Sequence, residues 1–205
     1  MQLLRKRDRE GFMVDTKSLR LDRVAEFETP YRSVDLNGKD NTVVATPDRS
    51  VGGAESRMNA VAPHCVRIAL QDLKCFEVVE HQFRHWGLTF TNTVAIQPSN
   101  PAFLTAPGMT ILMGAPKSGQ IEVSFKYPVR FVSGLVTSSR RTVLSACDSD
   151  GAQIAQDEMP APNLVGSNSP IDPSTELRVK APDISKITFY AFDGQLVVHD
   201  LIFGF

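Results

Sequence analysis

The feature that most constrains the fold is a repeated strand pattern that runs from Lys74 to Phe205. Short segments rich in Val, Ile, Phe and Thr alternate with clusters of Gly, Pro, Asn, Ser and Asp, which is typical of strands joined by turns. No segment in this part shows the apolar periodicity of a helix longer than two turns. Strands are predicted over residues 76–79, 87–91, 110–113, 121–127, 129–136, 142–147, 153–156, 176–180, 184–191 and 195–203.

Two local patterns indicate how these strands are arranged. Ile121, Val123 and Phe125 alternate with polar residues, so one face of this strand is expected in a core and the other in solvent. Asp193-Gly194 lies between two strand-like segments and predicts a tight hairpin, because both residues tolerate a positive φ. About ten short strands in this length predict an all-β fold, a two-sheet antiparallel jelly-roll sandwich.

The distribution of aromatic residues predicts where the folded domain begins. Residues 1–73 hold Phe12, Phe27 and Tyr31, and every other aromatic residue lies in residues 74–205. Because a core needs large apolar side chains, residues 74–205 are predicted to form the sandwich. Residues 1–73 are predicted to be an N-terminal extension, either an arm or a few strands laid on the sandwich, with residues 66–70 as the candidate for an added strand.

Composition excludes several classes of protein. The chain has 22 Lys and Arg residues against 23 Asp and Glu, which argues against a nucleic-acid partner bound through a basic excess. No run approaches the roughly 18 apolar residues of a membrane-spanning helix. The basic start of the sequence is followed by no apolar stretch, so no signal peptide is recognised and the compartment stays open.

Motifs of catalysis are absent from the sequence, and a protein without enzymatic activity is expected. There is no Gly-x-Ser-x-Gly nucleophile motif and no phosphate-binding glycine loop. His81 and His85 are four residues apart, which suits either a zinc site on a helix or an ordinary polar loop. A hydrolase remains an alternative that would need carboxylates or histidines clustered on the concave sheet.

Several short motifs, in their order and spacing, resemble a known family. The pattern is similar to the jelly-roll β-sandwich of bacterial exported proteins that carry a PEP-CTERM sorting tail, and it is akin to carbohydrate-binding modules. The resemblance covers about residues 74–205 and implies a lectin-like binding domain that is exported or at the cell surface. The motifs that carry it are Phe76-Glu77, Val79-Glu80-His81-Gln82-Phe83, Gly87-Leu88-Thr89-Phe90, the segment from Thr142 to Gly151, Ile187-Thr188-Phe189, and the segment from Val198 to Phe203.

The resemblance also implies candidate site residues. In related sandwiches a Glu near the first strand and an Asp near the last meet at one edge and hold a structural Ca²⁺, which points to Glu77 and Asp200. Calcium prefers six to eight oxygen ligands, which two carboxylates would begin to supply. The alternative is that both side chains bond to backbone groups or to a Lys or Arg.

Two aromatic residues are the candidates for ligand binding. Phe103 lies in a loop rich in Pro, Asn and Ser, where it either stacks on a sugar or covers the sandwich as a buried residue. Trp86 is an anchor either in the core or at the surface.

Two functions follow from these patterns. The first is a non-catalytic, lectin-like module that binds a glycan or a protein, with one structural calcium as an added feature. The alternative is a structural or assembly subunit in which the N-terminal arm contacts neighbouring chains by strand addition, giving a homo-oligomer or a larger complex.

Overall fold

The computed structural model describes residues 42–49, 65–115 and 119–205. The described residues form 11 β-strands and three single-turn 3-10 helices, so the all-β prediction is confirmed. The 3-10 helices are Leu70–Asp72, Arg84–Trp86 and Pro101–Phe103. The strands are β1 (Thr42–Ala45), β2 (Cys65–Ile68), β3 (Val78–Val79), β4 (Leu88–Thr91), β5 (Thr93–Ile96), β6 (Ile111–Gly114), β7 (Gln120–Ser138), β8 (Thr142–Cys147), β9 (Gln153–Met159), β10 (Thr175–Tyr190) and β11 (Leu196–Gly204).

Two long strands, β7 and β10, belong to both layers of an antiparallel sandwich. The front sheet has the order β4–β7–β10–β8–β9 and uses the first part of β7 and the last part of β10. The back sheet has the order β3–β5–β6–β11–β7–β10 and uses the other parts of the same two strands. The pairing of β7 with β10 shifts register between Lys180 and Lys186, which flank Pro182. Proline cannot donate to the ladder, so the irregularity falls where both strands change layer.

The core lies between the two sheets and is built on the predicted alternation. Ile121, Val123 and Phe125 of β7 all face inward. Phe125 of the front sheet packs against Phe203 of the back sheet with ring centroids 5.4 Å apart. Phe189 of the front sheet lies over Gly134 of the back sheet, where a Cβ atom would be 2.7 Å from its Cζ. The glycine is therefore needed for the two layers to approach each other.

Residues before Lys74 add a strand to the sandwich, at the place where the sequence offered residues 66–70 as the candidate. Strand β2 pairs with β11, and Val66, Ile68, Leu70 and Leu73 are buried in the main core. The distribution of aromatic residues gave no sign of this segment, because the segment contributes only aliphatic side chains to the core. Of the predicted N-terminal extension, residues 1–73, residues 1–41 and 50–64 lie outside the described residues.

The two sheets differ in what covers their outer faces. On the back sheet, Ile111 and Val197 point outward and are covered by Phe103 and Leu164 from two long loops, which form a second small apolar cluster. These loops are joined by a hydrogen bond from the Val165 N–H to the Ala102 carbonyl. The front sheet carries polar side chains on its outer face. Among the described residues, no helix is long and apolar enough to cross a membrane.

Candidate functional site

Phe103 does not present a face for stacking, which corrects its assignment as a ligand-binding residue. It is 6% exposed and packs in the small cluster on the back sheet. The Asn100 side chain accepts a hydrogen bond from the Ala102 N–H and caps the 3-10 helix that holds Phe103 in place. The alternative that the sequence left open, a buried residue that covers the sandwich, is the observed arrangement.

Trp86 lies at the edge of the main core, where the sequence allowed either a core or a surface anchor. Its indole is half-buried and packs against the main core, and its edge meets the His85 ring at a centroid distance of 5.7 Å. The indole N–H is buried and has no hydrogen-bond partner within the described part of the chain.

Glu77 and Asp200 are not brought together, so the predicted calcium pair does not fit the structure. Glu77 lies beside Ala95 of β5, and β6 separates β5 from β11, which carries Asp200. Three strand spacings separate the two positions by roughly 14 Å, well beyond two ligands of one ion. Within residues 42–49, 65–115 and 119–205, no group of three or more His, Cys, Asp or Glu residues could hold a metal ion.

Glu77 is held by partners close to it in the chain. Glu77 accepts hydrogen bonds from the Lys74 N–H at 2.8 Å and from the Gln82 amide at 2.9 Å. Burial pushes the pKa of Glu77 upward, but these hydrogen bonds and the nearby charges of Arg49 and Lys74 outweigh it, so the pKa lies below its ordinary value. Glu77 therefore fixes the loop before β3. This is the alternative in which its side chain bonds to a backbone group.

The outer face of the front sheet is an open polar surface. The strand register places one continuous row of five outward side chains across all five strands: Thr91, Glu122, Thr188, Ser145 and Gln156. In this row Glu122 forms an ion pair with Lys186 at 3.6 Å. We call this surface the open face. It offers hydroxyl, amide and charged groups that are only partly covered.

An exposed aromatic pair stands at one end of the open face. Tyr190 is the outward residue of β10 in the next row, between Gln120 and Val143. Its ring meets that of Phe192 at a centroid distance of 6.4 Å and an interplanar angle of 71°. The two side chains are 40% and 69% exposed, so both rings present apolar area to solvent.

A pocket of about 280 Å³ opens on the outer face of the back sheet. On one side of β11, β6 pairs with Val197 and Val198, and β2 pairs with Ile202 and Phe203, which leaves an opening between these two strands. Val198 pairs with Val136 of β7 and Asp200 with Leu135, so His199 is the extra residue of a β-bulge. Bulges re-aim side chains, and both residues at this one, His199 and Asp200, line the pocket.

The polar residues that line this pocket include an ion pair and a buried histidine, together with Gln71 and Thr110. Arg67 of β2 holds Asp200 through two contacts, Nε to Oδ1 at 2.9 Å and Nη2 to Oδ2 at 2.8 Å. His199 is 4% exposed, and its Nε2 lies 2.8 Å from the Thr137 hydroxyl. Burial lowers the pKa of His199 to about 4, so the imidazole is neutral at neutral pH.

Sequence reasoning missed both surfaces, although a signal existed for one of them. Ile187, Phe189 and Ala191 alternate as inward residues, so the same alternation places Tyr190 and Phe192 outside. The pocket had no such signal, because it depends on a contact between residues that are 133 positions apart in the chain.

Comparison with solved structures finds carbohydrate-binding modules, all at low similarity. No protein-family model and no curated protein matches the sequence. A variant of the module CBM29-2 complexed with cellulohexaose gives a TM-score of 0.37 at 9% identity, covering 57% of this chain and 80% of that chain. A family 6 carbohydrate-binding module gives 0.34 at 12% identity, covering 56% and 82%. The module TmCBM61 complexed with β-1,4-galactotriose gives 0.31 at 11% identity, covering 57% and 82%.

Proposed function

We propose that the protein is a non-catalytic binding module that holds a glycan chain on the open face. The observation that carries this proposal is the exposed aromatic pair, Tyr190 and Phe192, which lies next to the middle of the five-strand polar row. A sugar ring has one apolar face and a rim of hydroxyl groups. An exposed aromatic ring complements the first, and hydroxyl, amide and carboxylate side chains complement the second.

The size of the open face favours a short oligosaccharide over a single sugar. Five strands span four spacings, roughly 19 Å from β4 to β9. Each position in the polar row is a hydrogen-bond donor or acceptor, and Thr188 and Ser145 in its centre supply both functions. A chain laid across the strands would therefore meet polar groups at successive positions.

The carboxylates of this face support binding without cleavage. Glycoside hydrolysis commonly needs two carboxyl groups no more than about 9.5 Å apart. Glu122 lies on β7 and Glu158 on β9, three strand spacings away, or roughly 14 Å. Each also has a cationic partner, Lys186 for Glu122 and Arg141 for Glu158.

The test is isothermal titration calorimetry of the full chain with neutral oligosaccharides, using cellohexaose and β-1,4-galactotriose as the first probes. Tyr190→Ala is expected to weaken binding about tenfold, because it removes the stacking surface. Tyr190→Phe keeps that surface and should bind nearly as well as the parent. Tyr127→Ala is the matched control, since Tyr127 is also exposed but lies roughly 23 Å further along β7. Equal affinity of the Tyr190→Ala and Tyr127→Ala proteins would refute the open face as the site.

A second candidate function, an assembly subunit, is favoured by one specific observation. Phe76 and Val78 are 80% and 65% exposed and lie at β3, the edge strand of the back sheet. Phe76 has a φ of 65°, a left-handed conformation that is unfavourable for a bulky residue. An apolar edge of this kind suits strand addition by a second copy of the chain.

Light scattering after size-exclusion chromatography tests the assembly role. The full chain should elute as an oligomer, and Val78→Lys should shift it to a monomer, because a charged edge opposes strand addition. Ile154→Lys is the control, since Ile154 is an exposed residue on the opposite edge strand, β9. A full chain that is monomeric at every concentration would leave the binding module as the better function.

A further inference from the structure

The outer edge of β3 is closed by a side chain rather than by another strand. The Gln82 amide donates to the Val78 carbonyl at 2.8 Å and accepts from the Glu80 N–H at 2.7 Å. Its other N–H bonds to the Glu77 carboxylate at 2.9 Å. Backbone groups on the free side of an edge strand are the ones that an added strand would pair with. One side-chain amide therefore occupies the position of a peptide group in a neighbouring strand.

The same edge has one further backbone group for a partner. Residues of an antiparallel pair alternate between those that bond to the neighbouring strand and those that point away from it. The Ala95 N–H donates to the Glu77 carbonyl, so the next pair along, Val78 with Val94, is of the second kind. Once the amide is displaced, the edge thus presents the Val78 N–H, the Val78 carbonyl and the Glu80 N–H.

The edge can be opened by rotation of the Gln82 side chain alone. The Gln82 carbonyl accepts from the Asp48 N–H at 2.6 Å, and the next residue, Phe83, is fully buried in the core. The backbone is therefore held in place while the side chain is free to turn into solvent. Water then replaces the lost hydrogen bonds of the amide, so the net cost of opening is small.

The opposite side of the sandwich is closed more firmly. Asp157 of β9 accepts from the Glu158 N–H of its own strand at 2.9 Å and from the Arg178 N–H of β10 at 2.8 Å. One carboxylate thus occupies N–H groups on two neighbouring edges. Hydrogen bonds to a charged acceptor are stronger than those of a neutral amide. The β3 edge is therefore the one that a partner opens at the lower cost.

The chemistry around β3 is complementary to itself. If a second copy lies antiparallel to β3 around a two-fold axis at Val78, the two Val78 residues exchange both of their hydrogen bonds. Lys74 precedes β3 and Glu80 follows it, so each copy brings Lys74 towards the partner's Glu80. Phe76 and Val78, which are 80% and 65% exposed, lose apolar surface to solvent in this contact.

We propose that the β3 edge is a docking site for a second copy of the chain and that the Gln82 amide keeps it closed in the free molecule. This inference rests on the assembly role proposed above and identifies the contact and its control. Only molecules with the amide turned away are competent to pair. The apparent affinity of the parent chain is reduced by the fraction that these molecules represent.

Sedimentation equilibrium of the full chain gives the dissociation constant of the dimer. Gln82→Ala removes the competing amide and should lower this constant about tenfold relative to the parent, which corresponds to about one net hydrogen bond. Adding Val78→Lys to the Gln82→Ala chain should return it to a monomer. Gln153→Ala is the matched control and should pair like the parent, because the Gln153 amide bonds to the Gln156 side chain on the opposite edge strand.

Hydrogen exchange of the Glu80 amide distinguishes this role from a purely structural one. In a dilute solution of Gln82→Ala it should exchange faster than in the parent, and protection should return as the protein concentration rises. If Gln82→Ala fails to fold, Gln82→Glu replaces it, because a carboxylate of the same length cannot donate to the Val78 carbonyl.

The outcomes separate this proposal from the assembly role. It is overturned if the folded variant pairs no more tightly than the parent, or if Val78→Lys leaves the dimer of Gln82→Ala intact. A parent that is monomeric at every concentration, with a variant that dimerises, refutes the assembly role of the parent chain and supports the closed docking site.

Discussion

The outer faces of the two sheets are built by the same alternation of side chains, yet one is covered by loops and the other is exposed to solvent. On the back sheet the outward residues of β5, β6 and β11 are apolar, and two long loops cover them with Phe103 and Leu164. On the front sheet the outward residues, such as Glu122 and Thr188, are polar, and Tyr190 and Phe192 remain exposed. Aromatic residues are therefore structural on one face and available on the other. Burial rather than residue type decides which aromatic side chain can meet a ligand.

A matched pair of substitutions tests this difference most directly. Phe103→Ala on the covered face should lower the free energy of unfolding by about 4 kcal/mol, because it empties the centre of the small cluster. Phe192→Ala on the open face should change it by no more than about 0.5 kcal/mol, since that ring is 69% exposed. Urea unfolding followed by circular dichroism measures both. Equal losses for the two variants would mean that the faces do not differ in this way.

The buried histidine of the covered face predicts a pH dependence. The pKa of His199 falls from 6.5 to about 4 because burial disfavours the charged ring. Since the unfolded chain binds this proton more readily, the stabilising contribution is complete above pH 6.5 and is lost as the pH falls towards 4. The loss over this range is about 3 kcal/mol.

Urea unfolding at a series of pH values gives the measurement. His199→Gln cannot take up a proton, so its free energy of unfolding should fall less steeply between pH 6.5 and 4 than that of the parent. Parallel curves for the two proteins would show that His199 titrates normally in the folded state.

The loop that covers the back sheet depends on one buried amide. Asn163 is 0% exposed, and its side chain accepts from the Ser138 N–H at 2.7 Å and donates to the Val136 and Asp172 carbonyls at 2.9 and 3.1 Å. Asn163→Ala should cost about 2 kcal/mol, because it leaves these buried groups without their partner. Asn163→Asp would place a buried carboxylate against the Val136 and Asp172 carbonyl oxygens, so at neutral pH it should destabilise the fold at least as much as the alanine variant. If Asn163→Ala were no more destabilising than Phe192→Ala, Asn163 would not be needed to hold the loop in place.

The smallest effect is expected from a charged pair on the open face. Arg141 and Glu158 form a salt bridge in which both side chains are largely exposed, 59% and 41%. Glu158→Gln should change the free energy of unfolding by about 0.5 kcal/mol or less, since exposed ion pairs are weak and screened by salt. Thermal melts at low and high salt provide the check. If Glu158→Gln lowered the free energy of unfolding as much as Asn163→Ala does, side chains on the open face would matter as much for stability as those that hold the covering loop.

Much of the fold could be predicted from local pattern. The alternation of side chains located most strands of both sheets. The turn predicted at Asp193-Gly194 lies between β10 and β11. The pattern split β7 and β10 into two strands each, because Pro128 and Pro182 look like strand ends. The pairing partners on either side hold each strand together through the bend. Strand β5 was missed because it is four residues long and follows β4 after one residue.

The candidate site was less predictable because it depends on long-range pairing. Asp200 was singled out, but its partner is Arg67 rather than Glu77. Nothing local in the sequence tells which strand lies beside β11 at this point. The bulge at His199 likewise becomes visible only when the register between β11 and β7 is known.

The passage of β7 and β10 through both sheets has a consequence for how the molecule opens. A sandwich made of separate sheets can lose one layer while the other persists. Here the central hydrogen bonds of both layers lie on the same two strands, so breaking one ladder loosens the other. The backbone amides in the middle of β7 and β10 should therefore exchange with solvent deuterium only through complete unfolding, and with a common free energy of opening. The two layers then constitute a single cooperative unit.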